Sequence, residues 1–211
     1  MLNNLLNLEK FTSTRLTQDP FQFLVVENFV DPKQQAAISK DFPRIDKAGS
    51  FPPDTLKYGA SFAQFLAELE GEPFRQAVEK AFNLDLTGRP TMITVRGHTD
   101  KNDGNIHTDS LTKIITVLIY LNDSWDENSG RLRLLRSGAD LEDYITEVEP
   151  GFGTLLAFKR SDNSWHGHKP FIGQRRAIQL NWVLDEDVKR HEQKRHSFSA
   201  FLKKLFGKYD G

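Results

Sequence analysis

The chain has 211 residues, 38% of them hydrophobic, with 28 lysines and arginines, 29 aspartates and glutamates, and no cysteine. A chain this long buries about 70% of the surface its unfolded form exposes, so it needs neither disulfides nor structural zinc, and thiolate ligands and cysteine nucleophiles are excluded. A formal net charge of −1 gives no field to gather nucleic acid or anionic membrane, and no stretch approaches the roughly 20 apolar residues of a membrane span. The N-terminus has neither a basic n-region nor an apolar h-region, so the expectation is a cytoplasmic protein without a nucleic-acid partner.

The expected organisation is a single domain over 1–211, with a helix-rich supporting part at 1–88, a strand-rich core at 89–184 and a C-terminal helix at 185–211. Phe21 to Val30 is β-branched and aromatic and reads as a strand. Asp31-Pro32 supplies an N-cap and a proline at the first helical position, predicting a helix to about Lys40. Ser61 to Leu69 and Glu72 to Phe82 read as two more helices, the second with Phe74, Ala77, Val78 and Phe82 on one face.

From Arg89 onward short β-rich runs alternate with turn clusters. The runs are Thr91–Arg96, Lys113–Leu121, Arg131–Leu135, Ile145–Val148, Thr154–Phe158, Ser164–His168 and Arg175–Leu184. Seven strands with no long helix between them predict an antiparallel sandwich or barrel. In the charged tail, Phe198, Phe201, Leu202, Leu205 and Phe206 recur at helical spacing. That stripe either packs on the domain or forms a homodimer surface.

His107-Thr-Asp109 places an imidazole and a carboxylate on one side of an extended chain. Such a pair arises by chance, and His98-Thr-Asp100 has the same form. The first pair differs in its surroundings: an apolar strand follows it, and further histidines come in Ser164-Trp-His-Gly-His. Two histidines and a carboxylate from separate strands make a facial triad, which leaves three positions of an octahedral ion open for oxygen chemistry. The third ligand is His166 or His168, which share a strand face. Along the last strand, Arg175, Ala177, Gln179 and Asn181 occupy one face and Arg176, Ile178, Leu180 and Trp182 the other. The polar face suits a buried strand only if it lines a polar cavity. Arg175 is then a planar fork for a carboxylate, and the Tyr120 hydroxyl can join it.

Taken together, these residues resemble the Fe(II)/2-oxoglutarate-dependent oxygenases, in particular the prolyl-hydroxylase-like branch, from about Thr91 to Val183. The ordered motifs are His107-Thr-Asp109, Tyr120-Leu-Asn122 with Trp125, Gly130-Arg-Leu-Arg-Leu, Gly153-Thr-Leu-Leu-Ala-Phe, His166 with Pro170, and Gly173-Gln-Arg175-Arg-Ala-Ile. The resemblance implies a double-stranded β-helix, a jelly-roll barrel with supporting N-terminal helices and a C-terminal helix. It implies Fe(II) held by His107, Asp109 and His166, with Arg175, Tyr120 and Gln179 around the cosubstrate 2-oxoglutarate. The implied activity is a dioxygenase that consumes O2, hydroxylates an unactivated C–H bond and releases succinate and CO2. The substrate is a protein residue such as proline, or a small molecule such as a sugar, lipid precursor or amino acid. A non-catalytic metal-binding jelly-roll sensor is the rival from another class. The family often carries a tyrosine near the position of Arg96. The arginine found there, and Arg133, are the candidate substrate contacts.

Overall fold

The computed structural model describes residues 4–190. Four helices, α1 (Leu8–Ser13), α2 (Gln35–Asp41), α3 (Ala60–Leu69) and α4 (Glu72–Phe82), and the first strand, β1 (Phe23–Val26), precede a run of strands. These are β2 (Thr91–Thr99), β3 (Lys113–Tyr120), β4 (Leu132–Leu135), β5 (Tyr144–Val148), β6 (Leu155–Lys159), β7 (His166–Gly167) and β8 (Gly173–Val183). All seven strands expected after Arg89 form. Asp31 caps a 3-10 turn, Pro32–Gln34, that leads into α2. Proline in the first turn starts α4, and Asn83, at φ 50°, ends it in the left-handed conformation.

The strands divide into a five-stranded antiparallel sheet, ordered β1-β6-β3-β8-β2, and a three-stranded one, β5-β4-β7. The alternation of β8 decides how the larger sheet is used. Ile178, Leu180 and Trp182 join Val117, Ile119 and Val95 in the core against the helices, where Trp182 lies 5.9 Å from Phe74 between ring centroids. The opposite face turns to the smaller sheet. There Tyr120, Leu156, Phe158 and Ala177 pack with Leu132, Leu134 and Val148. The sandwich with helices outside is as the sequence predicts, but strand pairing stays within each sheet among the described residues, so the barrel is not closed. A closed barrel needs a continuous hydrogen-bonded register, and here isolated bridges such as His107 to His166 span the gap.

The described residues contain no helix long and apolar enough to cross a membrane. Of the expected C-terminal helix, only residues 186–190 are described, and these are helical. Its apolar stripe from Phe198 to Phe206, and with it the expected docking or dimer surface, lies outside the described residues.

Candidate active site

The two sheets leave a cavity of about 290 Å³ between them. At one end, His107 and His166 face each other as a hydrogen-bonded pair, each amide donating to the other's carbonyl at 3.0 Å. Their rings therefore lie side by side, with centroids 4.3 Å apart. Asp109, two residues beyond His107, turns its carboxylate to the same point. One ligand atom from each of the three lies within 4.8 Å of the others. The sequence-predicted pair and the distal histidine thus meet.

The donor set suits a divalent metal. Nδ1 of His107 donates to the Asn105 carbonyl at 2.8 Å, and Nδ1 of His166 to that of Ser164 at 2.9 Å. A ring that donates through Nδ1 keeps its Nε2 lone pair for a ligand bond. Burial pushes His166 down to about 4; the upward pull of Asp109 is too weak to offset it, so the ring is neutral near pH 7. For Asp109 burial acts upward, but Lys113, His166 and hydrogen bonds from Lys113 and Thr116 outweigh it and hold the carboxyl below its usual range. Two imidazoles, that of His166 neutral, and an ionised carboxylate are the donor types of the facial triad.

Sequence reasoning missed what fixes Asp109. Lys113 Nζ lies 2.7 Å from Oδ1, and the Thr116 hydroxyl donates to Oδ2. Thr116 Oγ1 also stands 2.9 Å from the Asn181 amide group. With a single proton it serves the charged acceptor. The relay closes when Asn181 presents its amide nitrogen to Thr116, which also gives a partner to a buried group otherwise unsatisfied among the described residues. The available signal was a threonine at a buried position of an apolar strand.

The other end of the cavity holds Arg175, which is buried. Its Nε donates to the Gly130 carbonyl at 2.8 Å and one terminal nitrogen to the Tyr120 hydroxyl at 3.3 Å, with the guanidinium over the Tyr120 ring. Because that hydroxyl accepts from Arg175, its own proton is free for another acceptor. Burial raises the Tyr120 pKa against the opposing charges of Arg175 and Arg96, so the phenol stays protonated. Gln179 lines the cavity between the two ends, its side-chain amide 3.3 Å from that of Asn181. Arg176 points the other way, over the Phe42 ring and towards Asp123.

The remaining candidates separate cleanly. His168 lines the cavity but stands outside the triad, its Nδ1 donating to the Lys169 carbonyl. His98 and Asp100 do not line it, and Asp100 accepts from the Asn102 amide in a turn. Arg96 lines it. Arg133, expected as a substrate contact, does not: it alternates with Leu132 and Leu134, which face inward, and so lies on the outer face of the small sheet. Glu142, Glu147 and the Leu141 carbonyl engage it there, with the Tyr144 ring beneath.

A two-sheet fold with this constellation defines a class. Residues 93–184 match the 2OG-Fe(II) oxygenase superfamily, so the chain carries a domain of that enzyme class, which uses Fe(II), 2-oxoglutarate and O2. No curated protein sequence matches the chain. Among solved structures it resembles a prolyl-4-hydroxylase of Pseudomonas putida, at 17% identity and a TM-score of 0.55, over 83% of this chain and 90% of that one. HygX of Streptomyces hygroscopicus, solved with nickel and 2-oxoglutarate, gives 13% and 0.53 over 76% and 81%. The viral collagen prolyl hydroxylase of Paramecium Bursaria Chlorella virus-1, solved with 2-oxoglutarate, gives 13% and 0.52 over 76% and 94%. At these identities the likeness is one of fold.

Proposed function

We propose that the chain hydroxylates a C–H bond of its substrate, with His107, Asp109 and His166 holding Fe(II) and with Arg175 and Tyr120 holding the distal carboxylate of 2-oxoglutarate. The observation that carries this reading is the pairing within one cavity: a triad of donors within 4.8 Å at one end and a buried guanidinium at the other. Bound Fe(II), with 2-oxoglutarate and O2, supplies the oxidising power for hydroxylation with release of succinate and CO2.

The protein's own residues bind and orient. Carbonyls fix both imidazoles, and Lys113 and Thr116 fix the carboxylate, so these three side chains would hold the ion where they line the cavity. Arg175 and Tyr120 define one direction for the diacid, and Gln179 lies along its length. No side chain is required as a general acid or base, and none is assigned. His107 is solvent-exposed, which puts the metal end at the mouth, where a substrate C–H must arrive. A residue of a protein, prolyl foremost, is the substrate class to try first, in line with the fold of the prolyl hydroxylases; a small molecule is the alternative.

The test is anaerobic. Protein with Fe(II) and 2-oxoglutarate develops a weak visible charge-transfer band, which Asp109→Ala and His166→Ala abolish and His168→Ala leaves in place. Admission of O2 then yields succinate above background, which a sensor would not produce. A wild-type chain that shows neither the band nor succinate refutes the reading.

A further inference from the structure

Arg96 occupies a position that its pairing with a loop carboxylate does not explain. It stands on the inner face of edge strand β2, in register with Ala177 of β8, which on its other side is in register with Tyr120 of β3. Alanine leaves the space above this rung open, and Arg96 and Tyr120 flank it. Arg175 lies two residues further along the same face of β8. The Arg96 guanidinium is held on two sides, Nε donating to Ser50 Oγ at 2.8 Å and one terminal nitrogen lying 3.4 Å from Asp103 Oδ1. The second oxygen of Asp103 is taken by the Asp100 amide at 2.9 Å. One edge of the guanidinium remains for the cavity that Arg96 and Arg175 both line.

Charge determines what this end accepts. Two guanidiniums, those of Arg96 and Arg175, face one carboxylate, that of Asp103. The end carries a single net positive charge in a largely desolvated place, where uncompensated charge is costly. One carboxylate neutralises it. A second anion, such as an acidic substrate group at Arg96, would over-compensate.

We propose that Arg96 is a second anchor for the distal carboxylate of 2-oxoglutarate, which is then shared by Arg96, Arg175 and the Tyr120 hydroxyl. This rests on the cosubstrate reading above. It makes Arg96 a determinant of diacid over monoacid selectivity, and removes it from the substrate contacts.

Calorimetric titration of the Mn(II)-loaded full chain tests this with two ligands: 2-oxoglutarate, and 2-oxovalerate, which keeps the chain and the 2-oxo acid but ends in methyl. Charge-assisted hydrogen bonds of the usual strength correspond to a roughly 10- to 100-fold weakening of 2-oxoglutarate in Arg96→Gln. For 2-oxovalerate, Arg96→Gln should weaken binding less than about threefold. Arg96→Lys should recover part of the loss. Asp103→Asn, which leaves the end more positive, should tighten 2-oxoglutarate several-fold, the reverse of what damage to the fold would give. Equal losses for both ligands in Arg96→Gln, an unchanged affinity for 2-oxoglutarate, or weaker binding in Asp103→Asn overturns the assignment. If the unsubstituted Mn(II) protein binds no 2-oxoglutarate, the cosubstrate reading itself fails.

Discussion

Thr116→Val tests whether the strand beneath Asp109 sets metal affinity. The substitution keeps the β-branched shape at a buried site and removes one hydroxyl, so cavity formation adds little. What is lost is the bond to Asp109 Oδ2 and the contact with Asn181. A hydrogen bond to a charged group is worth about 1.5–3 kcal/mol, or roughly 10- to 100-fold in an equilibrium constant. The hydroxyl also serves the carboxylate without metal, and that share cancels in a binding comparison. The expected weakening of Mn(II) or Fe(II) binding is therefore about tenfold, near the low end of the range for groups that orient metal ligands. The stranded Asn181 amide appears elsewhere, as about 1–2 kcal/mol of lost stability in urea. Competition against a chelator under argon measures the first effect and equilibrium unfolding the second. Thr116→Ser, which keeps the donor, should bind metal as the natural chain does. Metal affinity in Thr116→Val within about twofold of the natural chain, or a serine variant as weak as the valine, would refute the reasoning.

The period-2 pattern made most of the fold and half of the site legible. On β8 it separates Arg175 from Arg176, and the structure puts the first in the cavity and the second over Phe42. The same alternation places Arg133 outside, opposite Leu132 and Leu134, a consequence the sequence already contained. Reading Arg133 as a charge near the site, rather than as an odd position on a strand whose even positions are leucine, produced the wrong placement. Helix α1 was not expected, although Asn7 is its cap and accepts from the Lys10 amide at 2.9 Å. At six residues it is too short for a periodic stripe, and its stability comes from burying Phe11 against Phe29 and Phe74. The contacts that orient Asp109 and Arg96 were illegible for another reason. Lys113 and Thr116 of β3 reach Asp109, with Asn181 of β8 behind Thr116, and Ser50 reaches Arg96 across 46 residues. Such partners follow from strand register, which local spacing does not specify.

Three further outcomes are expected. Arg175→Ala should weaken 2-oxoglutarate binding roughly 10- to 100-fold, while Arg176→Ala changes it less than about twofold, measured by titration of the metal-loaded protein. Arg133→Leu should cost about 1–3 kcal/mol in urea unfolding, because two glutamates lose a well-ordered partner, and leave 2-oxoglutarate affinity unchanged; a loss of affinity would return Arg133 to the site. The third compares two glycines that share a left-handed backbone but not their surroundings. Gly104 has φ +96°, and a Cβ there would overlap the His168 carbonyl oxygen and come within 2.6 Å of its Nδ1. Gly88 has φ +71° with nothing within 4 Å of a Cβ. Gly88→Ala should therefore cost the backbone strain alone, about 1 kcal/mol. Gly104→Ala adds to that the displacement of the cavity wall, because the His168 amide donates to the Gly104 carbonyl at 2.9 Å and neither side can retreat without breaking the bond. Its expected cost is about 3 kcal/mol, together with weaker 2-oxoglutarate binding, since His168 lines the end proposed to hold the diacid. If urea unfolding finds Gly104→Ala no more destabilised than Gly88→Ala, the loop yields freely and the cavity wall is not set by this contact.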